Sequence, residues 1–165
     1  FFFSDNGGSK KCFADNAPLR DYKQSVYEGG LRVPFIVSWP GKIEAGSVCH
    51  EPVICMDILP TVCAATGIQL PSDRVYDGQN MLPHLRAETE NPLHESLFWD
   101  GDEVQWAVRS GEWKLVCNRQ EILELYNLQD DIAESRDLAG KHPDQVQRLQ
   151  NQYNEWKSKN APRIR

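Results

Sequence analysis

The stretch "VQWAVRSGEWKLVCN" (residues 104–118) decides how the chain is read. Val104, Trp106 and Val108 alternate with Gln105, Ala107 and Arg109. Beyond Ser110-Gly111, Trp113, Leu115 and Cys117 alternate with Lys114 and Val116. A period of two predicts strands with one packed face and one wetter face. Ser110-Gly111 suits a tight hairpin turn. Working outward, "ESLFWDG" before this stretch and "EILELYNL" after it supply two more strand candidates. Together they predict a small four-stranded antiparallel sheet. From Pro143 to Lys159 the apolar residues Val146, Leu149, Tyr153 and Trp156 recur at spacings of three and four, which predicts a helix laid on that sheet. Pro143 suits its first position and Asp144 its positive end. "NAPRIR" reads as a loose tail.

Before residue 93 the texture is different. Phe1–Phe3 reads as the end of a buried strand, followed to about Tyr22 by loop chemistry rich in Gly, Lys, Asn, Asp and Pro. Val33–Trp39 is an apolar run with Pro34 near its start and Pro40-Gly41 at its close, a second buried strand with sharp ends. Met56–Thr66 predicts a helix with Met56, Leu59, Val62, Cys63 and Ala65 on its packed face, Asp57 in its first turn and Gly67 at its end. A short helix is expected near Met81–Arg86. Strand, connection and helix together suggest part of an α/β layer structure. The expected division is therefore 1–92, an α/β segment, and 93–165, the sheet and its helix.

The chain has 165 residues, 40% hydrophobic and 25% charged, with a net charge of -6. The negative balance argues against a nucleic-acid backbone as main partner. No apolar run approaches the ~20 residues of a membrane span. "FFF" is too short and lacks the basic flank of a secretory signal, so any export signal is expected upstream. The five cysteines form no C-x-x-C pair, which disfavours a zinc cluster; Cys55 and Cys63 read as small buried hydrophobes.

Asp5-Asn6-Gly7-Gly8 stands where the first strand should end, the edge at which ligands collect in α/β sheets. A carboxylate and an amide oxygen are hard donors of the kind calcium or magnesium takes, and glycines keep the space clear. On the motif alone an Asx turn is the commoner reading. Lys23 offers a point charge for an anionic group, against the usual fate of a loop lysine in water. Glu28 and Arg32 are expected to pair, or to bond the backbone, around Gly29-Gly30. His50, His84, His94 and His142 have no ligand spacing, and surface or capping roles are their default. Trp99, Asp100 and Asp102 are read as packing and solvated groups before ligand contacts.

Taken in order, "SDNGG", "NAPLRDYKQSVYEGGLRVPFIVSWPGKIEAGSV", "EPVICMDILPTVCAATGIQLP", "DGQNMLP", "AVRSGEWKLV" and "ELYNLQDDIAESRDLA" resemble the C-terminal portion of the formylglycine-dependent sulfatases. The arylsulfatase branch of the alkaline-phosphatase-like superfamily is the most similar. The resemblance implies that Asp5 and Asn6 are ligands of a catalytic calcium and that Lys23 contacts the sulfate group. Residues beyond about 93 would form the C-terminal subdomain. It further implies a parent enzyme that hydrolyses sulfate monoesters of small molecules or carbohydrates, with a hydrated formylglycine as nucleophile.

No Cys or Ser here is followed by x-Pro-x-Arg, the formylglycine signature. The nucleophile and the remaining metal ligands are thus expected upstream, in the N-terminal part of the same enzyme. The 165-residue chain alone is expected to be inactive, to bind calcium poorly, and to self-associate through uncovered apolar strands. Family habit places such enzymes in the periplasm, the lysosome or outside the cell. The family often has glycine where Asp21 stands; a carboxylate there would repel sulfate unless it points away or pairs with Arg20. Two other readings stay open. One is a phosphatase or phosphodiesterase of the same superfamily, against which Asn6 speaks because those branches commonly carry histidine there. The other is a non-catalytic carbohydrate-binding or interaction module with Trp99 and Trp106 as stacking platforms.

Overall fold

The structure, a computed structural model, describes residues 1–101 and 104–160. In chain order its elements are β1 (Phe2–Phe3), α1 (Glu28–Leu31), β2 (Phe35–Ile36), α2 (Ile58–Thr66), α3 (Leu82–Leu85), β3 (Leu97–Asp100), β4 (Trp106–Ser110), β5 (Trp113–Cys117), β6 (Leu123–Asn127) and α4 (Pro143–Lys159). Single 3-10 turns lie at Lys10–Cys12 and Cys55–Asp57. Two compact units result: Phe2–Ile36 clusters with Ser96–Arg165, and Val37–Glu95 with Phe1 forms the other.

In the larger unit, β3-β4-β5-β6 make an antiparallel meander in sequence order. Ser110 pairs with Trp113, so Gly111 and Glu112 form a two-residue turn, and Gly111 takes the positive φ of 60° that such turns demand. The pleat sends Phe98, Trp106, Val108, Trp113, Leu115, Leu123 and Leu125 to one face, where Val146, Leu149, Tyr153 and Trp156 of α4 meet them. Trp106 stacks on Tyr153 with ring centres 4.0 Å apart, and Phe98 on Trp156 at 5.1 Å. The stripe read from the sequence is the one that packs. Pro143 and Asp144 open α4, and Lys157 and Lys159 close it, each matching the helix dipole. Leu149 is fully buried at the centre of this layer. Leu149→Ala is expected to destabilise the protein by about 2–5 kcal/mol, read as a lower urea midpoint at unchanged slope.

The other face of the sheet departs from expectation. It is not wet: Lys114 and Val116 are both fully buried. Val26, Tyr27 and Leu128 pack there against Ala107, Val116 and Tyr126, with Trp99 alongside. The alternation in β5 therefore separates two packed faces, and its polar members survive by pairing. Gln105, expected to face water, is buried, and its amide donates to the Gln24 carbonyl at 2.7 Å.

The expected buried strands at the chain start are short and exposed. β1 and β2 pair over two residues each, Phe2 with Ile36 and Phe3 with Phe35. Phe2 is 69% exposed and Ile36 58%. Prolines at 34 and 40 withhold donors on either side of β2, which limits the ladder.

In the smaller unit α2 begins after its 3-10 turn and ends at Gly67, φ 71°. The packed face differs from the apolar stripe: Asp57, Pro60, Thr61 and Cys63 are buried, whereas Met56, Leu59 and Val62 face outward. Polar anchoring explains the rotation. The Asp57 carboxylate accepts the N–H groups of Ile54 (2.8 Å) and Gln79 (2.7 Å), while the Thr61 hydroxyl donates to the Asp57 carbonyl and accepts the N–H of Met81. Among the described residues no helix is long and apolar enough to cross a membrane.

Candidate functional site

The glycines after Asp5-Asn6 let three loops of the larger unit touch backbone to backbone. Gly7 donates its N–H to the Gly30 carbonyl at 3.2 Å. A Cβ on Gly7 would stand 1.9 Å from the Gly29 oxygen, so only glycine fits. Gly8 offers its carbonyl to the Lys23 N–H at 3.0 Å. Gly29 donates to the Arg20 carbonyl at 2.8 Å. The Asn16 side-chain amide lies within 3.1 Å of three carbonyl oxygens, those of Gly8, Asp21 and Gly29, and so fastens all three loops at one point.

The backbones bearing Asp5, Asn6 and Lys23 are thus brought together. Asp5 and Lys23 are exposed and Asn6 is half-buried. Asn6 turns its amide nitrogen to the Gly7 carbonyl (2.9 Å), which leaves its Oδ1 as a free acceptor. Among the described residues no side chain engages the Asp5 carboxylate or the Lys23 ammonium. A carboxylate and an amide oxygen on adjacent residues, with glycines beyond, fit part of a calcium shell and supply two of the roughly six to eight oxygens calcium takes. Among the described residues no group of three or more His, Cys, Asp or Glu side chains is arranged to hold a metal ion.

Arg20 does not pair with Asp21. Its Nη1 donates to the Tyr126 hydroxyl (2.7 Å) and the Glu134 carbonyl (2.9 Å), lies 3.5 Å from Glu124 Oε2, and its guanidinium covers the Tyr27 ring at 3.9 Å. Asp21 has φ 68°, a left-handed backbone that glycine adopts freely and aspartate tolerates. Its carboxylate caps the Tyr22 N–H at 3.0 Å, a local role. Below Arg20, Tyr27 and Tyr126 both donate to Glu124 Oε2, the latter at 2.7 Å, and Asn118 donates to Oε1 at 2.9 Å. Burial, and then the Glu124 carboxylate, pushes both phenols well above the ordinary tyrosine range, so both stay neutral and donate to Glu124, while the Tyr126 hydroxyl also accepts from Arg20.

Arg32 bonds Glu28 through the backbone, its N–H donating to the Glu28 carbonyl at 2.7 Å, while the Glu28 carboxylate pairs elsewhere. Its Oε1 accepts from Lys114 Nζ at 2.7 Å, and Lys114 lies 2.9 Å from Glu134 Oε1. The second contact is an ion pair without hydrogen-bond alignment, since Glu134 Oε1 accepts no hydrogen bond. Burial pushes the Glu134 carboxyl above its usual range although Lys114 opposes the shift.

Several residues carry more than the sequence reading gave them. In the smaller unit the His94 side chain is only 7% exposed, and its Nε2 lies 2.9 and 3.0 Å from the two oxygens of the Asp57 carboxylate. Glu124, Glu134 and Asn16 carry no functional mark in the sequence, and Lys114 stands there only as a polar member of an alternating strand. Cys63 is buried as expected, but Cys55 is exposed. Trp106 and Trp99 are occupied by internal packing. Asp102 lies outside the described residues.

Mouse steryl-sulfatase (Mus musculus) is 36% identical over 126 residues, covering 69% of this chain and 20% of that protein. A sulfatase from Formosa agariphila is 33% identical over 181 aligned positions, covering 96% of this chain and 32% of that protein. The chain therefore spans a third or less of the length of these relatives. The crystal structure of Ps i-CgsB in complex with k-i-k-neocarrahexaose superposes with a TM-score of 0.85 at 31% identity, covering 94% of this chain and 35% of that one. The fold is accordingly that of the C-terminal α/β part of the alkaline-phosphatase-like sulfatases. Residues 21–159 match the family model described as N-sulphoglucosamine sulphohydrolase, C-terminal, and the chain belongs to that sulfatase family.

Proposed function

We propose that this chain carries part of the oxyanion pocket of an enzyme that hydrolyses sulfate monoesters. Asp5 and Asn6 would hold a calcium ion and Lys23 would clamp the sulfate. The observation that carries the reading is the Lys23 N–H bonded to the Gly8 carbonyl, two residues beyond Asn6, in a chain of the sulfatase family. When bound, calcium supplies positive charge to the sulfuryl oxygens. Lys23 would add a second positive charge from a loop whose backbone is anchored at Gly8 and at Gln24. Asp21 turns one carboxylate oxygen to the Tyr22 N–H, a local bond in the loop before Lys23.

We assign residues 1–92 to the catalytic α/β domain and 93–165 to the C-terminal subdomain. The nucleophile belongs to the longer enzyme, so the 165-residue chain alone is expected to be inactive, and its exposed β1–β2 ribbon to be covered by the rest of the enzyme or by self-association. A compartment outside the cytoplasm is the setting in keeping with this family. Sulfated carbohydrate is the favoured substrate class, because Ps i-CgsB is seen with k-i-k-neocarrahexaose.

The test is side-by-side hydrolysis of 4-nitrophenyl sulfate and 4-nitrophenyl phosphate, and of a sulfated oligosaccharide, by the full-length enzyme. Sulfate turnover that chelator abolishes and calcium restores is expected. Turnover of phosphate alone would overturn the reading, as would sulfate turnover by residues 1–165 in isolation.

A further inference from the structure

The most deeply buried charged cluster of the described chain lies outside the residues assigned above, yet it meets the turn on which their loops rest. Lys114 on β5 and Glu134 are fully buried, and the Glu28 side chain is 5% exposed. Desolvating an ammonium and two carboxylates is unfavourable, and apolar residues of the same volume often serve stability as well or better. The cluster thus calls for a geometric role. Its members supply one in what they hold. Glu134 Oε2 accepts the Glu28 N–H at 2.6 Å, so Glu28 is gripped through its side chain by Lys114 and through its backbone by Glu134. The next two residues are the glycines that receive the site loops: Gly29 bonds Arg20 and Asn16, and Gly30 bonds Gly7. Neither glycine has room for a side chain, since added Cβ atoms would fall 2.3 Å from the Asp21 oxygen and 2.2 Å from the Ser25 oxygen. The Glu134 carbonyl also accepts from Arg20, three residues before Lys23. Glu134 itself is held by the Asp131 loop, where the Ser135 and Arg136 N–H groups cap the Asp131 carboxylate at 2.9 and 2.8 Å.

We propose that Lys114 is a positioning residue for the sulfate-ester site: through Glu28 and Glu134 it fixes the Glu28-Gly29-Gly30 turn, and that turn sets the separation of the Asp5-Asn6 pair from Lys23. The proposal rests on the sulfatase reading above. It differs from a purely structural role because a core ion pair that only stabilised the sheet would leave the calcium requirement of the folded enzyme unchanged.

The experiment uses the full-length enzyme with Lys114→Met and, separately, Glu134→Gln, which keeps an acceptor for the Glu28 N–H and removes one charge. Two readouts are taken: amide hydrogen exchange of the metal-free protein, and the calcium concentration giving half-maximal hydrolysis of 4-nitrophenyl sulfate. For Lys114→Met, exchange at Gly7, Lys23 and Gly29 should accelerate at least about tenfold while α4 is unchanged. The half-activating calcium concentration should rise on the order of 10-fold, the usual scale for outer-shell changes at a metal site. Glu134→Gln should move both in the same direction by about threefold. If Lys114→Met does not fold, Glu134→Gln decides. Exchange and calcium requirement within a factor of two of wild type would overturn the proposal. A wild-type enzyme inert toward sulfate esters would instead defeat the sulfatase reading, while the exchange data would still report on the turn.

Discussion

Lys23→Ala in the full-length enzyme is expected to lower kcat/KM for an aryl sulfate by on the order of 10²–10³ while leaving the thermal midpoint unchanged. Both halves follow from where the side chain stands. Lys23 is exposed, and its ammonium has no described partner, so truncation removes no contact that holds the fold; surface changes of this kind stay within about 0.5 kcal/mol. Its backbone N–H, which does hold the loop to Gly8, survives the substitution. On the proposed function, what disappears is a positive charge set beside oxygens that gain charge as the ester breaks, and the loss of one such group is of the stated size. Lys23→Arg should recover part of the rate, because charge is kept while the compact ammonium is replaced by a planar fork. Steady-state kinetics beside a melting curve give the answer. A rate within threefold of wild type would remove Lys23 from the pocket.

The second large effect is expected at a residue with no side chain. Gly7→Ala puts a methyl group 1.9 Å from the Gly29 oxygen and 2.9 Å from both the Gly29 carbonyl carbon and the Gly30 Cα. All three neighbours are backbone, and they belong to a turn gripped by buried charges, so no rotamer change relieves the clash. Overpacking against side chains costs about 1–3 kcal/mol. Against fixed backbone a loss at or above the upper end of that range is expected, together with a fall of at least about 100-fold in sulfate hydrolysis, because the Gly7–Gly30 bond joins the Asp5-Asn6 loop to the turn. Gly140→Ala is the control: its added Cβ meets nothing within 4 Å, and it should be neutral in both assays. Equal behaviour of the two variants in urea denaturation and kinetics would contradict the close approach of the loops.

How far the sequence could be read depended on whether a residue's partner was near it in the chain. The α4 stripe, the Gly111 turn and the four strands were legible because helix period, strand period and turn chemistry are local signals. Lys114 was misplaced because alternation in β5 looks the same for a one-sided sheet and for a sheet covered on both faces; only pairing with Glu28, 86 residues away, tells them apart. Met56, Leu59 and Val62 pointed to the wrong face of α2 because Asp57 and Thr61, bonded to Gln79 and Met81, orient the helix more strongly than its apolar stripe. At the candidate site, Asp5, Asn6 and Lys23 carry no local signal beyond an Asx turn and a loop lysine. It was their order within a longer resemblance that marked them. Asn16, which ties the loops together, left only the trace of an amide in a turn-rich stretch.

The grip on the Glu28 turn has a consequence for biosynthesis. Glu28 and Glu134 are 106 positions apart, and the turn has neither of its charged anchors until β5 and the Asp131 loop have been made. At translation rates of about 5–20 residues per second, the loops bearing Asp5, Asn6 and Lys23 leave the ribosome roughly 5–20 s before the segments that immobilise them. During that interval the nascent chain exposes its glycine-rich loops to chaperones and proteases, and a chain halted before Glu134 lacks the carboxylate that grips the Glu28 N–H.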